Sequence, residues 1–537
     1  MTVELYDTTL RDGAQMEGIS LSVDDKLRIA RRLDDLGIHY IEGGWPGANP
    51  KDVEFFERIR DAKLSAKVVA FGSTRRAGGD AATDPTLSAL LHAGTDYVTI
   101  VGKANDDQVR RVLQTSLEEN LAMLADSVRY LKQKGKAVFF DAEHFFDGFA
   151  LDRDYALACL RSAANAGADG LVLCDTNGGT LTSALLEAIE VVQAAFPNVA
   201  LGIHCHNDAE VAVANSLAAV QAGVQQVQAC INGYGERCGN ANMCSIIAAL
   251  KLKLRQDVVS DDQLGRLTEV SHFVSEVANM MPWPQQPYVG QSAFAHKAGY
   301  HADGVIKVES AYQHVDPAAV GNQRRLLVSE LGGSRGLLDK LSELSIDFPM
   351  TRDDARRLTE QIKEMEARGY QYEGADASLE LLVRRSLPGY TPPFNLDDFW
   401  VVERRHQGLG SEDQTKEMQA EAMVKLRIFG RNAGEDRVMQ TAADGNGPVN
   451  ALDAAVRKAL AEFYPGINDV HLVDYKVRII DGSGGSGASV RVLIDCSDAE
   501  HSWQTVGAST DIIEASWLAL ADAYQWWMLR HPLAWGH

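Results

Sequence analysis

Residues 200–231 read ALGIHCHNDAEVAVANSLAAVQAGVQQVQACI, and the fold is decided there. The stretch opens on a strand-like run, Ala200–His206, and closes on another, Gln226–Ile231, with a helical stretch between them. The same unit recurs toward the N-terminus. Six further strand candidates begin at Val3–Tyr6, His39–Glu42, Lys67–Phe71, Tyr97–Val101, Ala137–Asp141 and Gly170–Cys174. Amphipathic stretches such as Leu27–Leu36 and Leu121–Leu131 separate most of them. Eight β-then-α units in about 250 residues predict a (β/α)8 TIM barrel. A doubly wound sheet is the rival, but it carries a glycine-rich turn after its first strand, and here that turn is DTTLRDG, residues 7–13.

The rest of the 537 residues is too long for one domain. The expected division is a catalytic barrel over 1–275, mainly helical linker subdomains over 276–400, a charged linker over 401–420, and a C-terminal domain over 421–537. That last part holds a weak repeat. RVMQTAADGNGPVNALDAAVRKALAEFY (437–464) and HSWQTVGASTDIIEASWLALADAYQW (501–526) share the order strand, Gly-containing loop, helix. Two ββα-like copies predict a pseudo-symmetric α/β regulatory domain. Asp481–Ser489, DGSGGSGAS, lacks the strand–Ser–helix context of a nucleophile elbow and reads as a flexible hairpin.

A net charge of -22 argues against a nucleic-acid partner, which needs a basic face. No apolar run approaches the ~20 residues that would span a bilayer. The start, MTVELYDTTLRDG, shows no basic segment followed by an apolar one, so no signal peptide is expected. The seven cysteines form no CxxC pair. Free thiols in a reducing cytoplasm account for them better than a disulfide framework does.

Polar residues crowd the C-terminal ends of the strands: Asp7-Thr8-Thr9, Arg11-Asp12, Glu42, Glu143, Asp175-Thr176-Asn177, His204–Asp208 and Asn232. A barrel keeps its active site on that rim. His204 and His206 stand two apart on a strand, so both imidazoles point one way, toward the mouth. Two imidazoles need an anionic partner to bind a divalent ion well, and Asp12 comes beside them only if the barrel closes. Asp12, His204 and His206 are therefore the expected metal ligands, leaving octahedral positions for a chelating 2-oxo acid. Mn2+ and Mg2+ fit that set, and Zn2+ stays open.

DTTLRDGAQ, HCHNDAEVAVANSLAAVQAG and NGYGERCGNANM resemble the signatures of the 2-isopropylmalate, homocitrate and citramalate synthase family, within the larger DRE-TIM metallolyase group. The resemblance covers almost the whole chain, including a C-terminal domain like the LeuA-type allosteric domain. It implies that Asn240 joins or borders the metal ligands, that Arg11 polarises the substrate's keto oxygen and that Thr176 holds its carboxylate. It implies that Glu143 is the catalytic glutamate, and that His301 and Tyr312 reach a partner subunit's barrel in a homodimer, with Asp303 near His301 to orient it. The implied reaction joins acetyl-CoA to a 2-oxo acid. The methyl of acetyl-CoA is a very weak acid, so a base must take its proton, either Glu143 or His301.

EGGWPGANPKD (Glu42–Asp52) and FDAEHFFDG (Phe140–Gly148) look like the citramalate branch, whose oxo acid is pyruvate. Trp45 is bulky enough to fill space that a larger oxo acid would need. The resemblance makes isoleucine the implied effector and isoleucine biosynthesis the implied context. The alternatives are 2-isopropylmalate synthesis from 2-oxoisovalerate, a hydroxyacyl-CoA lyase, and a non-catalytic ligand sensor.

Overall fold

A computed structural model describes residues 3–296, 304, 308–326, 337–338, 341, 351–405, 418–430, 435–480, 485 and 487–531. It divides into two compact units. The first is Met1–Phe294 with Gln313–Arg324, and the second is Ala295–Tyr312 with Arg325–His537.

Eight parallel strands close the barrel of the first unit. They are β1 (Glu4–Asp7), β2 (Tyr40–Gly44), β3 (Lys67–Ser73), β4 (Tyr97–Lys103), β5 (Ala137–Glu143), β6 (Gly170–Asp175), β7 (Ala200–Cys205) and β8 (Gln226–Ala229). Each pairs with its sequence neighbour, and β1 pairs with β8 as Glu4↔Gln226 through Asp7↔Ala229. Helices cross between the strands. The one over Val23–Leu36 starts at a capping box, in which Ser22 accepts from Asp25 N–H and the Asp25 carboxylate accepts in return. It stops at Gly37, whose φ of 90° is left-handed, the terminator glycine supplies cheaply.

Side-chain alternation makes the barrel interior a stack of layers. Tyr6, Tyr40, Val69 and Phe139 form an apolar floor, with Tyr97 packed against it edge-on to Tyr40. Among the next inward residues up the strands, Glu42, Thr99, Asp141, His204 and Gln228 are polar and buried, and Phe71 on β3 is an apolar exception. The barrel therefore stands on a packed base and opens its chemistry at the C-terminal rim. No described helix is long and apolar enough to cross a membrane.

The second unit holds a two-residue parallel pair, β9 (Ala295–His296) with β10 (Arg325–Leu326), and helices over Arg352–Ala367 and Asp376–Ser386. Two three-stranded antiparallel sheets follow. One is β11 (Phe394–Arg405), β12 (Met418–Ile428) and β13 (Arg437–Gly445), and the other is β14 (His471–Ile479), β15 (Val490–Ser497) and β16 (Ser502–Ser509). The helices Pro448–Leu460 and Ile512–Met528 follow their sheets and share one core with them. Along β12, Ala420, Ala422, Val424, Leu426 and Ile428 are buried, the period of two of a half-covered strand.

The repeat is thus βββα rather than ββα. One polar bond marks it: Thr441 Oγ1 donates to Ala455 O at 2.7 Å, and Thr505 Oγ1 donates to Ala519 O at 2.8 Å. Each spans fourteen residues, from middle strand position to helix. Ile479 pairs antiparallel with Val490, and of the expected hairpin over Asp481–Ser489 residues 481–484 and 486 lie outside the described residues. The 401–420 stretch is corrected at both ends. β11 runs through Arg405 and β12 starts at Met418, while 406–417 lie outside the described residues. The reading failed because an antiparallel strand with a solvated face carries charges such as Glu403 and Arg404 without being a linker.

Candidate active site

β7 ends at Cys205 and points the His204 side chain inward. His206 comes one residue later, in an isolated bridge with Asn240. Asp12 follows β1 in the turn that β8 flanks. Closure of the barrel brings these parts together. His204 Nε2 lies 3.3 Å from Asp12 Oδ2 and 3.3 Å from His206 Nε2, and His206 Nε2 lies 3.9 Å from Asp12 Oδ2. The three donor atoms fall within 4.8 Å of one another, and all three residues are buried.

That geometry suits a divalent cation. Donors at right angles and about 2.1 Å from one ion stand about 3 Å apart. Asn240 Nδ2 donates to Tyr234 O at 3.0 Å, which leaves its Oδ1 buried with no hydrogen-bond partner, as is His206 Nδ1. His204 is oriented from behind. Asp141 Oδ1 accepts from Gln228 Nε2 at 3.0 Å, which turns Gln228 Oε1 to His204 Nδ1, also at 3.0 Å. The Nδ1 of His204 thus carries the proton and its Nε2 faces Asp12.

Electrostatics agree. Asp7, Asp12, Glu42 and Asp141 are buried in this region, where Arg11 is the cation. Burial alone would raise the Asp12 carboxyl, but Arg11 and the two imidazoles hold it below the usual carboxylate range. Burial, reinforced by the Glu42 charge, pushes Asp141 up to about 7. Burial and the neighbouring His204 lower His206 to about 4, which keeps it a neutral donor. His204 is raised, because the Asp12 carboxylate outweighs its burial.

Arg11 is fixed on three sides. Its Nε donates to Glu42 Oε1 at 2.5 Å, its Nη1 lies 3.5 Å from Asp12 Oδ2, and its guanidinium stacks 3.8 Å over the Phe71 ring. Glu42 accepts from Tyr6 Oη at 2.6 Å, and Tyr6 Oη contacts Thr99 Oγ1 at 2.7 Å, so the arginine is anchored down to the barrel floor. Trp45 packs edge-on against Phe71, with centroids 5.4 Å apart.

Glu143 ends β5 and Thr176 follows β6. Thr176 Oγ1 accepts from the His144 N–H at 2.8 Å, which frees the hydroxyl proton for another acceptor. Glu143 Oε2 lies 2.7 Å from Lys103 Nζ, and Oε1 lies 3.9 Å from His144 Nε2. Tyr312 is an exposed residue of the second unit, and His301 and Asp303 lie outside the described residues.

The GERCGN loop earns its glycines here. Gly235 (φ 148°) faces Asn240 Nδ2, where a Cβ would come within 2.2 Å, and at Gly239 (φ 83°) a Cβ would stand 2.0 Å from Gly233 O. Arg237 ties the motifs together, donating to Asp208 Oδ1 at 2.8 Å and to Thr176 O at 2.8 Å. Other rim residues do structural work. Asp7 accepts from Thr9, whose Oγ1 accepts from Ile231 N–H and so bolts β1 to β8. Asp175 holds the Thr180 turn, and Asn232 binds Ser271 O and Ser275. Sequence reasoning gave no role to Gln228, Asp141, Lys103, His144 or Phe71. Alternation on β5 was a usable signal, since Asp141 shares a strand face with Glu143.

Comparison with known proteins accords with this arrangement. The HMGL-like family matches residues 2–274, the homocitrate synthase post-HMGL domain-like family residues 288–370, and the LeuA allosteric (dimerisation) domain residues 373–528. The chain is 51% identical over 526 residues to the (R)-citramalate synthase of Geobacter sulfurreducens, covering 98% of this chain and 97% of that one. It is 49% identical over 532 residues to the (R)-citramalate synthase of Aquifex aeolicus, covering 98% of each. A probable 2-isopropylmalate synthase of Methanopyrus kandleri is 33% identical over 520 residues, with 96% of each chain covered.

Proposed function

Because the chain belongs to the 2-isopropylmalate, homocitrate and citramalate synthase family, we propose that it condenses acetyl-CoA with pyruvate and releases (R)-citramalate and CoA. The observation that carries this reading is the buried Asp12–His204–His206 cluster with Arg11 against it. Those three residues, with Asn240 beside them, would hold Mn2+ or Mg2+, with Zn2+ the third choice. The chemistry such an ion supplies when bound is Lewis-acid polarisation of a keto oxygen.

The chain's own groups do the rest. Arg11, held by Glu42 and Phe71, offers N–H donors to the keto oxygen and then to the alkoxide that replaces it. Thr176 offers its hydroxyl proton to the substrate carboxylate. Glu143 takes a proton from the acetyl methyl, with His301 the alternative base, and Asp303 and Tyr312 support His301 from the linker. The carbanion attacks the keto carbon, a C–C bond forms as the C=O π bond opens, and the keto oxygen stays on that carbon as an alkoxide that is protonated to the hydroxyl. Water then cleaves the thioester to give the diacid and free CoA.

Pyruvate is favoured over 2-oxoisovalerate because two aromatic rings, Phe71 and Trp45, stand on the Arg11 side of the site. The 44–51% identity to (R)-citramalate synthases along nearly the full chain supports the same choice. The wider reading is a cytoplasmic homodimer that feeds isoleucine synthesis through 2-oxobutyrate and responds to isoleucine at its LeuA-type domain.

The test is CoA release by the purified chain with acetyl-CoA, Mn2+ or Mg2+, and pyruvate, 2-oxobutyrate, 2-oxoisovalerate or 2-oxoglutarate in turn. Pyruvate should give the highest kcat/KM, and chelation should abolish turnover. Preference for 2-oxoisovalerate would move the chain to the isopropylmalate branch.

A further inference from the structure

Lys103 ends β4 as Glu143 ends β5, and the two residues are paired across the parallel ladder. Alternation from Tyr97 and Thr99, both turned into the barrel, puts Lys103 on the inward side as well. The pair therefore sits in the mouth rather than on the outer surface. The Lys103 Nζ is 2.7 Å from Glu143 Oε2, and the side chains are 15% and 27% exposed.

The backbone under this pair is fixed. Lys103 O accepts from Asn120 Nδ2 at 2.9 Å, and Ala104 N–H donates to Glu143 O at 2.9 Å. Past Glu143 the chain turns at once. His144 has φ 57°, a left-handed conformation costly for a residue with a Cβ, and its N–H is spent on Thr176. A glutamate at such a strand end has several side-chain rotamers open to it. Only one of its oxygens is engaged by the ammonium. The other is 3.9 Å from the nearest imidazole nitrogen, too far for a hydrogen bond.

From this geometry we propose that Lys103 is a positioning residue: it clamps Oε2 so that Oε1 of Glu143 is presented to the acetyl methyl. The claim rests on Glu143 being the base. Misplacing a reacting group by about 1 Å costs on the order of 100-fold in rate, so a clamp of this kind is worth having.

The experiment is a double-mutant cycle on the full chain with whichever oxo acid the wild type prefers. Lys103→Met should lower kcat about 10- to 100-fold while KM for the oxo acid stays within about threefold. Lys103→Arg, which keeps the cation, should recover most of that loss. In a Glu143→Gln background, Lys103→Met should change kcat less than about threefold, because the group it positions is gone. Mn2+ binding by each variant, measured without substrate, should match the wild type and so report an intact barrel. Three results would overturn the proposal: full additivity in the cycle, a loss seen only in KM for acetyl-CoA, or no recovery with arginine. Wild-type kcat in Glu143→Gln alone would instead remove the base assignment beneath it.

Discussion

The Nδ1–H of His204 meets one acceptor, Gln228 Oε1, and that bond decides which nitrogen faces Asp12. Gln228 is itself held by Asp141, so a buried three-residue chain sets the tautomer of one ligand. Gln228→Leu should keep the barrel folded and weaken Mn2+ binding about 10- to 100-fold, read by metal titration. At this scale the sequence was informative where strand alternation and motif spacing worked together, as for His204 and His206, while a role for Arg11 came only from the family resemblance. It was silent for Gln228, Lys103 and Phe71, which are common strand residues until closure sets them beside the site.

At the scale of the element, the loop after β8 shows how backbone conformation serves chemistry. Asn240 returns to His206 only because the chain doubles back through Gly235 and Gly239. At Gly239 both a left-handed φ of 83° and a Cβ approach of 2.0 Å to backbone oxygen exclude a side chain. Gly239→Ala should therefore cost more than the ~1 kcal/mol typical of strain alone. It should also lower metal affinity, which thermal unfolding and metal titration together would register. The GERCGN motif marks this loop in the sequence, but the reason for its glycines is the carbonyl of Gly233, which no linear pattern reveals. The strand ends behave likewise. Glu143 lies on β5 and not in a loop, because β4 continues beside it as far as Lys103.

For the whole molecule, the concentration of carboxylates in the barrel has a cost in stability that depends on pH. Burial pushes Asp7 up to about 7, against the opposing hydrogen bonds from Thr9. A folded value above the unfolded one means that the contribution is fully present below about pH 4 and is lost as the pH rises through about 7. The barrel's unfolding temperature should accordingly fall between pH 5 and pH 8, by the equivalent of at most about 3 kcal/mol from this group. Asp7→Asn keeps an oxygen for Thr9 and cannot ionise, so its profile over that window should be flatter by calorimetry. An equal slope in both proteins would remove Asp7 as the cause.

The sequence by itself determined the period of the elements, the eight-unit count and the shared face of His204 and His206, because strand alternation and chain order are local properties, whereas Asp12 reaches them only through closure of β1 on β8. It also showed that the C-terminal part repeats, though not that each copy has three strands, since a charged strand such as β11 looks like a linker until its partner is seen. Only the tertiary structure decided which carboxylate holds Arg11, what orients His204 and which cation meets Glu143. Those pairs join residues from different strands, and their distances exist only once β1 has paired with β2, β4 with β5 and β7 with β8.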